Sequence, residues 1–314
     1  MQHPAYPAAL MVGAVALWGS GFVMNKASLA SVPPLQLLAL ELLASCTLLW
    51  TVAIGRGEQA RLNRRTVRHG LTGLLEPGLA YILFISGLTM TGAANASILA
   101  ATQPVMVVGL AWLLLREPIP PRLLRVLAAA MVGTLLVTVS DAAHFNGQTL
   151  RGDVLILLST GCASLYVLFS RAATAELPPA LLAALQQSVG LLCVLAALTL
   201  ETFFSPPAAV TAAPGDYLVV IVSGIMQYAL AFLLYLSALR YISATRAVLF
   251  IALLPVFGMG NAVLWLGESV TLMQVIGAGL VVAALLHLHL QGPDDHPSAR
   301  TTPVEDGDGA YQAA

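Results

Sequence analysis

The sequence is expected to form an all-α integral membrane protein, with ten transmembrane helices arranged as two inverted five-helix repeats. Three observations lead there. The 314 residues are 58% hydrophobic and only 9% charged, with a mean hydropathy of +0.86. Soluble domains carry about 25% charged residues, so a water-facing globule is excluded. Apolar runs long enough to cross a bilayer recur along the whole chain. Finally, prolines and polar landmarks of the first half reappear in the second.

A helix needs about 20 mainly apolar residues to cross the hydrocarbon layer. Such runs lie at 8–29, 35–54, 70–89, 93–115, 123–140, 153–173, 179–200, 217–239, 243–266 and 271–290. Some connections are very short, as from Thr89 to Gly92, which forces antiparallel neighbours. The remaining loops leave no room for a soluble enzyme domain. The first run is too long for a signal-peptide core, and no Lys or Arg precedes it, so a cleavable leader is not expected. Residues 291–314 carry Asp294, Asp295, Glu305, Asp306 and Asp308 and are expected to form a disordered acidic tail.

Orientation follows from the basic residues. If ten spans alternate, Arg56, Arg61, Arg64, Arg65, Arg68, Arg116, Arg122, Arg125, Arg171, Arg240, Arg246 and Arg300 share one side. Lys26 and Arg151 fall opposite, a division of 12 against 2 among the 14 basic residues. By the positive-inside rule both termini are cytoplasmic, although Lys26 after the first span locally favours the reverse. The Ala/Leu-rich composition suggests a bacterial plasma membrane. A formal net charge of −1 implies no nucleic-acid partner. Cys46, Cys162 and Cys193 are widely spaced inside apolar runs, which fits packing thiols better than a metal site or a disulfide.

The repeat is found by sliding the sequence along itself. An offset of 145 sets Pro33-Pro34 on Pro178-Pro179, Lys26 on Arg171 and Glu41 on Gln186. From the third run the offset becomes 151. Ser86 then meets Ser237, Ala93 meets Ala244, Pro104-Val105 meets Pro255-Val256, Gly109 meets Gly260 and Glu117 meets Glu268. A longer connection around Ser205-Pro206-Pro207 to Pro214 accounts for the change. The domains expected are residues 1–140, a connecting loop 141–152, residues 153–290 and the tail. Five spans per half is an odd number, so the halves enter the membrane with opposite polarity. Inverted repeats are a signature of secondary transporters, whose ligand site lies near the midplane.

Trp18-Gly19-Ser20-Gly21-Phe22, Gly87-Leu88, Ala93, Ala96, Pro104-Val105 and Arg116-Glu117 resemble the EamA type of the drug/metabolite transporter superfamily. The second half repeats the pattern as Ala238-Leu239, Ala244, Ala247, Pro255-Val256 and Gly267-Glu268. The similarity spans residues 8–290. It implies paired five-helix halves, a central cavity and transport, often export, of small metabolites such as amino acids. Two positions depart from the pattern. Ser164-Leu165-Tyr166 stands where a second tryptophan motif is expected, and Gln103 precedes Pro104 where the other half has Leu254.

Ionisable groups inside hydrocarbon are costly, about 3 kcal/mol on insertion scales, and usually face a cavity or a partner. Glu76 in the third span precedes Pro77, which removes a backbone donor and opens the helix locally. Its repeat counterpart is Gln227, followed by Tyr228. Glu41 is matched by Gln186, beside Gln187. Glu76, Gln227 and Tyr228 are the first candidates for substrate binding, with Glu41, Gln186, Trp18, Tyr81 and Gln103 after them. Glu41 also has the alternatives of snorkelling or pairing with Lys26. The Gln residues could simply bond between helices, and the aromatics could pack or form interfacial belts. Lys26 reads as a headgroup anchor, and Ala93, Ser97, Ala101, Ala96 and Ala100 as helix-packing faces. Pro104 and Pro255 are expected to bend spans four and nine, while Glu117 and Glu268 mark helix ends.

No phosphate loop, H-E-x-x-H or G-x-S-x-G motif occurs, so neither ATP-driven transport nor catalysis is expected; no cofactor is implied. His287 and His289 are two apart, the wrong spacing for one helical face. Asn95-Ala96-Ser97 is a glycosylation sequon buried in a span. The resulting expectation is a secondary transporter with a small-molecule substrate, the lipid bilayer as surroundings and protons as a candidate coupling ion. An uptake carrier or uniporter, a lipid-substrate membrane enzyme and a non-transporting receptor using the acidic tail remain the alternatives. Oligomeric state is not legible.

Overall fold

A computed structural model describes residues 5–58, 63–90, 96, 99–100, 102–116, 121–138, 147–204, 212–266 and 272–290. Every regular element among them is helical. We label the helices α1 (Ala5–Ser28), α2 (Pro34–Gly55), α3 (Arg64–Met90), α4 (Gln103–Leu115), α5 (Pro121–Thr138), α6 (Gly147–Glu176), α7 (Pro179–Phe204), α8 (Pro214–Leu239), α9 (244–266) and α10 (Leu272–Leu290). Seven of the described helices are long and apolar enough to cross a membrane, and shorter apolar segments lie in α4, α5 and α10.

Most of the helices are predominantly apolar, as bilayer-embedded helices are, and their ends follow local chemistry. Pro34, Pro179 and Pro214 start α2, α7 and α8, where a missing backbone N–H costs nothing. Asn63 caps α3 by accepting from the Thr66 N–H at 2.8 Å, and Ser243 caps α9 through Arg246. The outer surface is greasy: Leu264, Trp265 and Leu272 are among the most exposed apolar side chains.

Packing crosses between the two halves of the chain. α1 lies along α8 and α9, while α3 and α4 lie along α6. α2 packs on α7 and α8, and α7 in turn on α3; α5 pairs with α10 and α4 with α9. Several glycines permit close approach, two of them at equivalent places. A Cβ on Gly73 of α3 would collide with the backbone of Gln186, and one on Gly224 of α8 with the backbone of Glu41. These glycines are 151 residues apart, the offset of the sequence repeat.

Two pairs of helices are irregular at matching places. α3 contains a π turn at Leu75–Leu79, and α8 one at Ile225–Leu230. Pro104 and Pro255 each occupy the second position of a helical segment, behind a turn at Thr102 and at Ala252–Leu253 respectively. The expected proline bends are therefore breaks at which a new segment starts. Further boundaries also shift: α3 begins at Arg64 instead of residue 70, and α6 runs from Gly147 to Glu176 instead of 153–173. Polar end contacts explain part of this, since His69 of α3 meets Glu176 of α6 at 2.9 Å. Nearby, Glu58 accepts from the Leu181 N–H at the start of α7, 3.2 Å away. Gly92, Ala93, Asn95, Ser97, Ala101, Glu117, Gly267, Glu268, Ser205-Pro206-Pro207, residues 141–146 and the tail 291–314 lie outside the described residues.

Candidate functional site

A cavity of about 90 Å³ lies between α1, α3, α4, α6, α8 and α9. That is room for several waters or a small solute. Its polar lining comes from Asn25, Glu76, Gln103, Ser159, Thr160 and Gln227, and its aromatic wall from Trp18, Tyr81, Phe84, Tyr166, Phe232 and Tyr235. No described lining residue is basic.

Glu76 supplies the acid. Proline crowds the preceding residue out of the helical region, and Glu76 indeed adopts φ −147°, ψ 125° inside α3. The Glu76–Pro77 bond is cis. Pro77 itself is buried against α7, where Gly190 leaves space that a Cβ would fill. The break turns the Glu76 side chain into the cavity, whose lining it shares with Tyr81.

Behind the wall sits a buried polar cluster. Gln227 Nε2 lies 2.8 Å from Asn25 Oδ1, 3.0 Å from Glu41 Oε1 and 2.6 Å from Ser223 Oγ. Ser223 Oγ also donates to Glu41 Oε1. A second cluster occupies the equivalent sequence positions. Gln186 Nε2 donates to Thr72 Oγ1 at 2.7 Å and to Ser170 Oγ at 3.2 Å, and its Oε1 accepts from the Tyr166 hydroxyl at 2.9 Å. Thr72 and Ser223 are 151 apart, and Asn25 and Ser170 are 145 apart.

The aromatic wall is tightly coupled to the first cluster. The indole N–H of Trp18 donates to the Gln227 carbonyl at 2.9 Å. Its ring sits 5.5 Å from Phe232 and 5.4 Å from Tyr235, and Tyr81 meets Tyr228 edge-on at 4.8 Å. The Tyr235 hydroxyl is buried with no hydrogen-bond partner among the described residues, leaving a donor and acceptor at the cavity.

Of the residues singled out in the sequence, Glu76, Gln227, Trp18, Tyr81 and Gln103 line the cavity. Tyr228, Glu41 and Gln186 are buried behind it. Glu41 neither snorkels nor pairs with Lys26: it is 0% exposed and bonded to Ser223 and Gln227, while Lys26 is exposed. Ala100, expected on a helix-packing face, borders the cavity. Asn25, Tyr166 and Tyr235 also line it, and sequence reasoning does not single them out. Repeat arithmetic carries a signal for two of them, because Asn25 aligns with Ser170 and Tyr235 with Phe84. Among the described residues no three His, Cys, Asp or Glu side chains gather as a metal site would require.

Comparison with known proteins places this architecture. The description "EamA-like transporter family" matches residues 6–139 and again residues 150–289. The transporter YvbV of Bacillus subtilis, described as uncharacterised, is 25% identical over 279 residues, covering 88% of this chain and 90% of YvbV. An uncharacterised transporter of Archaeoglobus fulgidus is 24% identical over 274 residues, covering 86% and 94% of the two chains. A crystal structure superposes with a TM-score of 0.76 at 19% identity, covering 91% of this chain and 99% of the other; at that identity it speaks to the fold alone. The chain is a multi-pass membrane transporter and belongs to the EamA-like transporter family.

Proposed function

We propose that the protein is a secondary transporter that exports a small metabolite, an amino acid or related ammonium-bearing compound, by alternating access through this cavity. The carrying observation is Glu76: a carboxyl facing an aromatic-walled cavity with no basic lining residue among those described. A carboxylate there attracts a cationic group, and aromatic faces add cation–π attraction. Gln227 and Gln103 supply neutral hydrogen bonds around it, and a proton is the natural exchange ion for an acid in such a place.

The alternating mechanism needs two related halves, here residues 1–140 and 153–290, joined by 141–152 and followed by the tail 291–314. Ten spans in inverted repeat are supported by the crossed packing, in which α1 with α8 and α9 corresponds to α6 with α3 and α4. The matching glycine contacts at Gly73 and Gly224 support it too. With both termini cytoplasmic in a bacterial plasma membrane, the ends of α3 and α6 joined by His69 and Glu176 face the cytoplasm, where the arginines concentrate. Flux of labelled amines and amino acids into proteoliposomes tests the reading. Glu76→Gln is expected to abolish flux of the transported compound; an unchanged rate with unchanged pH dependence removes Glu76 from the mechanism.

A further inference from the structure

We propose that Glu41 is a proton-binding site distinct from Glu76, wired to the cavity wall through Gln227. The proposal rests on the transport reading above and deepens it: one carboxyl meets the solute, and another carries the coupling proton.

Glu41 is 0% exposed, and no ion pair to it occurs among the described residues. Its Oε1 accepts from Ser223 and Gln227, but Oε2 is buried with no hydrogen-bond partner among the described residues. An ionised carboxyl in that setting keeps a desolvated charge with half of its acceptor capacity unused, an unfavourable state that protonation relieves. The titratable groups beside this cluster are Tyr228 of α8, which follows Gln227, and Tyr81 of α3, packed edge-on against Tyr228 at 4.8 Å. The other neighbours are neutral: Asn25 of α1 and Ser223 and Gln227 of α8, while Gln187 of α7, which packs along α2, bonds Ser45 and the Tyr228 carbonyl.

The equivalent cluster separates this role from mere packing. At the matching position Gln186, a neutral amide, uses both ends: it donates to Thr72 and Ser170 and accepts from Tyr166. An amide therefore satisfies this kind of helix crossing completely. Glutamate at position 41 adds a charge and an orphan oxygen that the crossing does not require.

The connection to the cavity is short. Gln227 and Asn25 both line it and both belong to the cluster. The Gln227 amide has two hydrogens facing three oxygens, those of Asn25, Ser223 and Glu41. An ionised Glu41 holds one of these hydrogens strongly, because a charged acceptor makes the stronger bond. When a proton entering from the cavity reaches Oε2 and forms an O–H bond, that hold weakens and the amide redistributes toward Asn25 at the wall. Release of the same proton to water on the other side restores the first arrangement, and no other bond is made or broken.

The test needs no substrate. The full chain in lipid nanodiscs is titrated with pH while the C=O stretch of protonated carboxyl groups is followed by infrared difference spectroscopy. The expected result is a titrating band that Glu41→Gln removes and Glu76→Gln leaves in place. A spectrum unchanged by Glu41→Gln overturns the proposal. Should Glu41→Gln fail to fold, Gln227→Leu carries the test. Loss of a hydrogen-bond donor on Oε1 is expected to move the Glu41 band to higher frequency, and an unmoved band overturns the assignment. Because Glu76 recognition is judged by flux and Glu41 by titration, the two readings fail separately.

Discussion

The two polar clusters are built on the same positions of the repeat, yet they do different things. Where α1, α2 and α8 meet, Asn25, Glu41, Ser223 and Gln227 close on one another. Where α3, α6 and α7 meet, Gln186 bonds Thr72 and Ser170 in the same pattern, but the fourth member, Glu76, leaves the group and faces the cavity. One residue accounts for the split. Pro77 follows Glu76 and drives it out of helical geometry, whereas Tyr228 follows Gln227 and leaves that side chain turned inward. Each unit carries one acid, on α2 in the first and on α3 in the second. A duplicated scaffold thus acquires one buried acid and one presented acid by exchanging a few side chains.

The largest effect is expected from removing the presented acid. If Glu76 holds a desolvated cationic group, Glu76→Gln costs about 2–3 kcal/mol of binding, roughly 30-fold or more in affinity. Equilibrium binding of the transported compound to purified protein measures it, and a loss under about threefold would mean the two acids do not differ as described. Restoring helical backbone is expected to come next. Pro77→Ala lets Glu76 fold back toward Thr72 and Gln186, so flux should fall about tenfold while the thermal midpoint holds or rises. Wild-type flux in this variant would detach the break from the presented acid.

Two smaller effects probe what the clusters share. Gly73→Ala and Gly224→Ala each place a methyl group against backbone, of Gln186 and Glu41 respectively. Overpacking of that kind costs about 1–3 kcal/mol, and the two midpoints should drop by similar amounts; a cost confined to one of them would break the equivalence of the crossings. Trp18→Phe keeps the ring but loses the hydrogen bond to the Gln227 carbonyl, worth about 1 kcal/mol. It should loosen the first cluster alone, seen as faster hydrogen exchange in α8 with α3 unaffected.

Much of this architecture is legible in the amino-acid sequence. The polar positions 41, 76, 186 and 227 stand out because an ionisable or amide group in a greasy run needs a reason to be there, and the repeat register pairs them correctly by number. Pro77 marks a disturbance in α3. Other features are not readable there. Tyr166 and Tyr235 lie in runs where an aromatic reads the same whether it meets lipid, core or cavity. Asn25 is hidden beside Lys26, one position away yet on a different face of α1: Asn25 is buried and Lys26 exposed. The roles of Tyr228, Glu41 and Gln186 as support behind the wall depend on how their helices are rotated.

Membrane residence, apolar helices and the internal repeat are written in composition and order, since hydrocarbon solvation acts on each segment almost independently of the rest. Which of the repeated polar groups touch one another, and which of two acids looks into the cavity, depends on helix rotation and crossing. Those are settled by close packing between segments more than a hundred residues apart, where a glycine such as Gly73 or Gly224 lets two backbones meet and a proline such as Pro77 turns a side chain away. A linear pattern of hydropathy carries no record of that azimuth, because the solvent on the outside is as apolar as the core.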